Sequence, residues 1–182
     1  MALVIRLVHG FALLTLPILF LGVLALTRYL QGPDRIALVA LIFYGSALTA
    51  LLIAGCMDGF VGPAVMSKLV AGDPMTDARR LFLDYTWTIN QSLAGIFTLG
   101  ACIAIFLWSA EIWRSRLLSR PLAAYGAVLA IGISLVYLSG RLPLTAHGFG
   151  IVTLAQSLWL MLAGVGLCGK PETNERPASK DK

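Results

Sequence analysis

Two histidines, His9 and His147, and a short list of carboxylates and amides are the side chains here that could do chemistry. Asp58, Asp84, Asn90, Gln91 and Arg141 stand near them in one respect: each lies at or near the end of a long apolar run. Ionisable groups inside a membrane are costly, so where they occur they point to function. Imidazoles from two different helices could ligate a haem axially, a haem b by that ligand set. They could also join Asp58 at a divalent metal. Without a metal, the same residues would line a pocket for a quinone or a lipid head group, or bond one another and interfacial water.

Gln156, with Ser157 and Trp159 beside it, stands nine residues after His147. On a helix of about 3.6 residues per turn that is half a turn out of phase, so the two cannot face one partner. Gln156 therefore reads as an interhelical hydrogen-bonding residue. A Walker loop, a dinucleotide fingerprint, H-E-x-x-H and G-x-S-x-G are all absent from the sequence. No reaction is named, and a non-catalytic protein is the expectation. Cys56, Cys102 and Cys168 form no C-x-x-C and read as small packing residues rather than a disulfide framework.

The elements that must position these groups are membrane spans. A helix needs roughly 20 apolar residues to cross a hydrocarbon core about 30 Å thick. Leu7–Leu26, Ile36–Met57, Thr86–Ile112, Leu122–Leu138 and Leu142–Cys168 approach or exceed that length, in a chain that is 58% hydrophobic. Mean hydropathy is +0.84. The expected fold is an all-α integral membrane bundle of five spans over residues 1–168, with a disordered polar tail over 169–182. Leu7–Leu26 reads as an uncleaved helix, being long for a signal peptide and lacking an A-x-A site before Arg28.

Basic residues set the orientation. Arg28, Arg35, Arg114, Arg116, Arg120, Lys170, Arg176, Lys180 and Lys182 place nine on one side, against five on the other (Arg6, Lys68, Arg79, Arg80, Arg141). The positive-inside rule puts the C-terminus in the cytoplasm and the N-terminus outside, in a bacterial inner membrane. The net charge of +5 then meets lipid head groups rather than nucleic acid. Trp108 and Trp113 fall near the inner boundary and Trp87 near the outer one, as in an aromatic belt.

Along the chain, Pro17 predicts a kink in the first span. Gln31-Gly32-Pro33-Asp34 reads as a tight turn, and Asp58-Gly59-Phe60-Val61-Gly62-Pro63 as a break ending the second helix. Asp73-Pro74 followed by Met75, Ala78, Phe82 and Tyr85 predicts a short amphipathic helix at the outer interface that runs into the third span. Small and weakly polar residues recur on the third span (Gln91, Gly95, Thr98, Cys102, Ser109) and the fourth (Ala123, Ala127, Ala130, Ser134, Tyr137). These stripes predict close packing on each other, on other membrane helices or on a second copy.

Leu7-Val8-His9-Gly10, Gly59-Phe60-Val61-Gly62-Pro63, Leu107-Trp108-Ser109-Ala110 and the Gln156/Trp159 pair resemble features of a group of bacterial multi-pass membrane proteins of similar length, classed as a domain of unknown function. Members of that group often have six spans, which would fit a first helix missing here. The resemblance implies no activity. The functional expectation is an accessory, scaffold or sensor subunit; the alternatives are electron transfer through haem or quinone at His9 and His147, and transport of a small solute.

Overall fold

With no water in the bilayer core, each spanning segment must close its backbone hydrogen bonds on itself. The computed structural model, which describes residues 2–32, 35–70 and 77–169, is accordingly helical with no strand among those residues. The elements are α1 (Ala2–Leu30), α2 (Ile36–Cys56), a π-helical turn (Met57–Val61), α3 (Gly62–Val70), α4 (Asp77–Ser115), α5 (Arg120–Leu138) and α6 (Ala146–Cys168). Among the described residues five segments are long and apolar enough to cross a membrane: Leu3–Leu30, Ile36–Met66, Arg80–Ser115, Arg120–Leu138 and His147–Cys168. The protein is an all-α, multi-pass membrane bundle.

The central helix is α4, whose most apolar window is 56% buried against 17–33% for the other four spans. Its small residues explain the position. A Cβ on Gly100 would lie 3.0 Å from Ala47 Cβ on α2, and one on Gly95 would overlap the Tyr137 hydroxyl of α5. Ala94, Ala101, Cys102 and Ala104 are buried along the same helix. Small residues let backbones approach where lipid offers no hydrophobic drive to association. In contrast, Leu3, Leu7, Phe11, Leu14 and Ile18 of α1 are 63–74% exposed, which at helical spacing makes a lipid-facing stripe.

The core is densest at the end opposite the N-terminus. Trp108 and Trp159 are fully buried, with ring centroids 6.3 Å apart and planes 12° from parallel. Trp108 Nε1 donates to Thr27 Oγ1 at 3.2 Å, and Trp159 Nε1 to the Leu122 carbonyl at 3.1 Å. Tyr44 packs on Trp108 with centroids 5.5 Å apart.

Several sequence expectations need correction. Trp108 is a core residue, not part of an interfacial belt; its indole N–H is satisfied by Thr27, which hydropathy cannot reveal. Trp113 is half exposed, with the Arg120 guanidinium 5.4 Å from its ring centroid. The 58–63 run does not end the second helix. Pro63 lacks the N–H that an α-helix would send to Gly59, and its ring would crowd that carbonyl. The π turn widens the register so that the Gly62 N–H reaches the Met57 carbonyl, five residues back, and helix resumes as α3. The expected short outer helix runs on into the third span from Asp77. It is the start of α4, whose 39 residues rise about 58 Å at about 1.5 Å each.

The last span begins at Ala146 rather than Leu142, because Pro143 precedes an N-cap at Thr145, whose Oγ1 accepts from the Gly148 N–H at 3.4 Å. Before it, α5 ends on Gly140 in the left-handed region (φ 72°), with the Arg141 N–H returning to the Val136 carbonyl. α1 runs unbroken through Pro17. The expected turn residues Pro33 and Asp34, the Asp73-Pro74 cap with Met75, and the tail over 170–182 lie outside the described residues.

Candidate functional site

Around the N-terminal end of α1 the packing opens into a cavity of about 400 Å³. α1 supplies His9, Ala12, Leu13 and Leu16; α2 and the π turn supply Leu51, Ala54, Gly55 and Asp58. α4 contributes Trp87, Asn90, Gln91 and Ala94, and the chain entering α6 contributes Leu144 and Phe149. The walls are mainly apolar. Four polar side chains, His9, Asp58, Asn90 and Gln91, converge on it from three directions.

His9 is held in place by its own helix. Its Nδ1 lies 2.9 Å from the Ile5 carbonyl. A carbonyl can only accept, so Nδ1 carries a proton, and in the neutral imidazole Nε2 is then an acceptor. The π turn then docks on it: a Cβ at Gly59 would overlap His9 Cβ and stand 2.9 Å from its Cγ. Only a residue without a side chain lets the two backbones come this close. The wide turn is what places Asp58 at the cavity, in keeping with the tendency of π-bulges to occur at functional sites.

Across from it, Asn90 Nδ2 donates to Asp58 Oδ2 at 3.0 Å. Asn90 is 6% exposed, and its Oδ1 has no hydrogen-bond partner. A buried acceptor without a partner is unusual, because most buried polar atoms in folded proteins are satisfied. Asp58 itself is exposed at the cavity rim, and Asn90 is its one hydrogen-bond partner among the described residues.

The rest of the expected polar layer does not join this site. His147 and Asp84 are exposed and absent from the cavity wall, and so is Arg141 in the turn after α5. His147 precedes the wall residue Phe149 by two positions, about 200° around a helix, and so points away. Asp84 precedes Gln91 by seven positions, on nearly the same face but about 10 Å further along the axis. His9 and His147 are therefore not paired across the cavity, and among the described residues no three His, Cys, Asp or Glu side chains group as a metal site.

The packing residues form a second polar region deeper in the bundle. Gln156 Nε2 lies 3.4 Å from the Thr98 carbonyl and 3.4 Å from Cys102 Sγ, with Ser134 also at that thiol. Thr98 is fully buried, and Thr98 Oγ1, Ser109 Oγ and Gln156 Oε1 lack partners. Ala130 is 3% exposed and Gly95 abuts Tyr137. The α4 stripe is thus taken up within the chain, and on α5 Ala130 is covered while Ala127 is half-buried. That removes Ala130 as a contact for a partner helix.

Sequence reading passed over Phe149 and Leu144 as wall residues and Gly59 as the contact on His9, and placed Trp87 in a belt without assigning it to a site. It also passed over Glu111, a carboxylate 6% exposed near the far end of α4. Its Oε2 is 4.0 Å from Arg114 Nη1, and Oε1 would be 3.0 Å from a Cβ at Gly32. An acid in an otherwise apolar helix end was the available signal.

Fold and site together define a multi-pass helical membrane protein with a ligand-sized cavity near one end of the bundle. No family model, no curated protein and no solved structure matches the chain.

Proposed function

We propose that this protein is a non-catalytic binding or sensor subunit of the bacterial inner membrane, and that the cavity at His9, Asp58 and Asn90 receives an amphipathic small molecule. The observation that carries this reading is Asn90 Oδ1, buried and unpartnered in the wall of a cavity. A volume of about 400 Å³ suits a small ligand, since such pockets run from roughly 300 to 1,000 Å³. Apolar walls with a few convergent polar groups are the usual composition of such sites. With the basic residues distributed as they are, the polar end of the cavity faces the outer side of the membrane. A pair of axial histidines has no support in the packing, because His147 points elsewhere.

The test uses protein in nanodiscs of zwitterionic lipid, titrated with 1-octanol and octylamine while tryptophan emission is followed. Saturable quenching that disappears in Trp87→Phe, and that weakens when Ala12→Phe fills the wall, is the expected result. A purely linear, partition-like response that ignores Ala12→Phe overturns the reading.

A further inference from the structure

The geometry points to a primary ammonium as the head group of that ligand; this rests on the binding reading above and specifies its chemistry. At the polar end of the cavity three acceptors converge. His9 commits its Nδ1–H to the Ile5 carbonyl and, as the neutral imidazole, presents Nε2 as an acceptor. Asn90 spends an amide N–H on Asp58 and keeps a buried, unpartnered Oδ1. Asp58 adds a carboxylate of which one oxygen accepts from Asn90. These three acceptors come from three separate elements, α1, the π turn and α4.

Among the described residues no Lys or Arg lines the cavity, so the negative charge of Asp58 meets no cation from them across the site. A carboxylate held at a membrane boundary is retained at a cost, and a counter-charge brought by the ligand removes it. An ammonium carries three N–H donors and no acceptor, the complement of this set. Trp87 and Phe149 in the wall add ring faces of the kind that attract organic cations. Leu13, Leu16 and Leu51 offer the apolar surface for a hydrocarbon tail.

Other head groups fit less well. Quinone carbonyls, carboxylates and phosphates bring acceptors toward these acceptors, and among the described lining residues the Gln91 amide, the second N–H of Asn90 and the Trp87 indole are what could answer them. A quaternary ammonium has the charge but no N–H to give. The proposal is therefore for hydrogen-bonded recognition of a primary amine carrying an apolar chain.

The experiment compares octylamine, octyltrimethylammonium, 1-octanol and octanoate on the intact protein in the same nanodiscs. Octylamine is expected to bind about tenfold more tightly than each of the others. Asp58→Asn and Asn90→Leu should each remove the margin of octylamine over 1-octanol. Equal affinities for octylamine and 1-octanol overturn the ammonium assignment and leave the cavity reading standing. Octyltrimethylammonium binding as tightly as octylamine also overturns it, by showing that charge alone suffices, and so does tighter binding of octanoate. Saturable binding by none of the four overturns the proposed function itself. The comparison among ligands on the unaltered protein decides the matter even if a variant fails to fold.

Discussion

Gly59→Ala is the substitution that most directly tests how the cavity is made. The new methyl would be placed on His9 Cβ, with Cγ at 2.9 Å, where ordinary contact begins near 3.4 Å. Rotation of the imidazole cannot relieve the clash, because Cβ is fixed to the α1 backbone. Either α1 or the π turn must move by something like half an ångström or more. Overpacking of this kind costs about 1–3 kcal/mol. Unfolding in mixed micelles with rising SDS fraction, read by tryptophan emission, measures it. Gly22→Ala, on α1 with nothing within 4 Å of the added Cβ, is the control and should be near neutral.

The decisive comparison is a double-mutant cycle with His9→Gly, which removes the atom that is struck. In that background Gly59→Ala should lose most of its cost, a coupling of about 0.5–3 kcal/mol. If Gly59→Ala is as stable as Gly22→Ala, or its cost is unchanged in the His9→Gly background, the contact between the π turn and α1 is not what holds this end together. The reasoning about the site then fails with it.

Three further outcomes follow from the packing. Gly126→Ala would place a methyl on both Ser109 Oγ and Trp159 Nε1, and should cost about 1–3 kcal/mol in the same unfolding assay, while Gly132→Ala, with open space around it, should not; equal stabilities would refute the tight α4–α5–α6 junction. Gln156→Leu loses the two contacts of Nε2 at 3.4 Å but also an unpartnered Oε1, so a net change within about 1 kcal/mol is expected, and a loss above about 3 kcal/mol would show a stronger network than these distances imply. For orientation, an impermeant maleimide on intact spheroplasts should label Ser139→Cys, exposed in the turn after α5, and reach Ser119→Cys only after permeabilisation. The reverse pattern would invert the topology.

The contrast between His9 and His147 shows what sequence could and could not convey about the site. Both were legible as polar groups at the same end of an antiparallel set of spans, since depth follows from counting residues at a nearly constant rise. Which of them faces a neighbour depends on rotation about the helix axis, and rotation is settled by packing. Asp58, Asn90 and Gln91 face the cavity; Asp84 and Arg141 do not. Gly59 and Phe149 were invisible as site residues because their roles are defined by what lies opposite them.

By itself the sequence determined that the chain is helical and membrane-spanning, which of its segments are long and apolar enough to span, and near which ends the polar groups fall. Transfer into lipid is additive over a run of neighbouring residues, so that information is local. Only tertiary structure decided that proline at position 63 is absorbed by a π turn, that Trp108 is core, and that one buried amide oxygen is left unanswered beside Asp58. Those outcomes depend on atoms far apart in the chain meeting at contact distance, where a single methyl group changes what can pack.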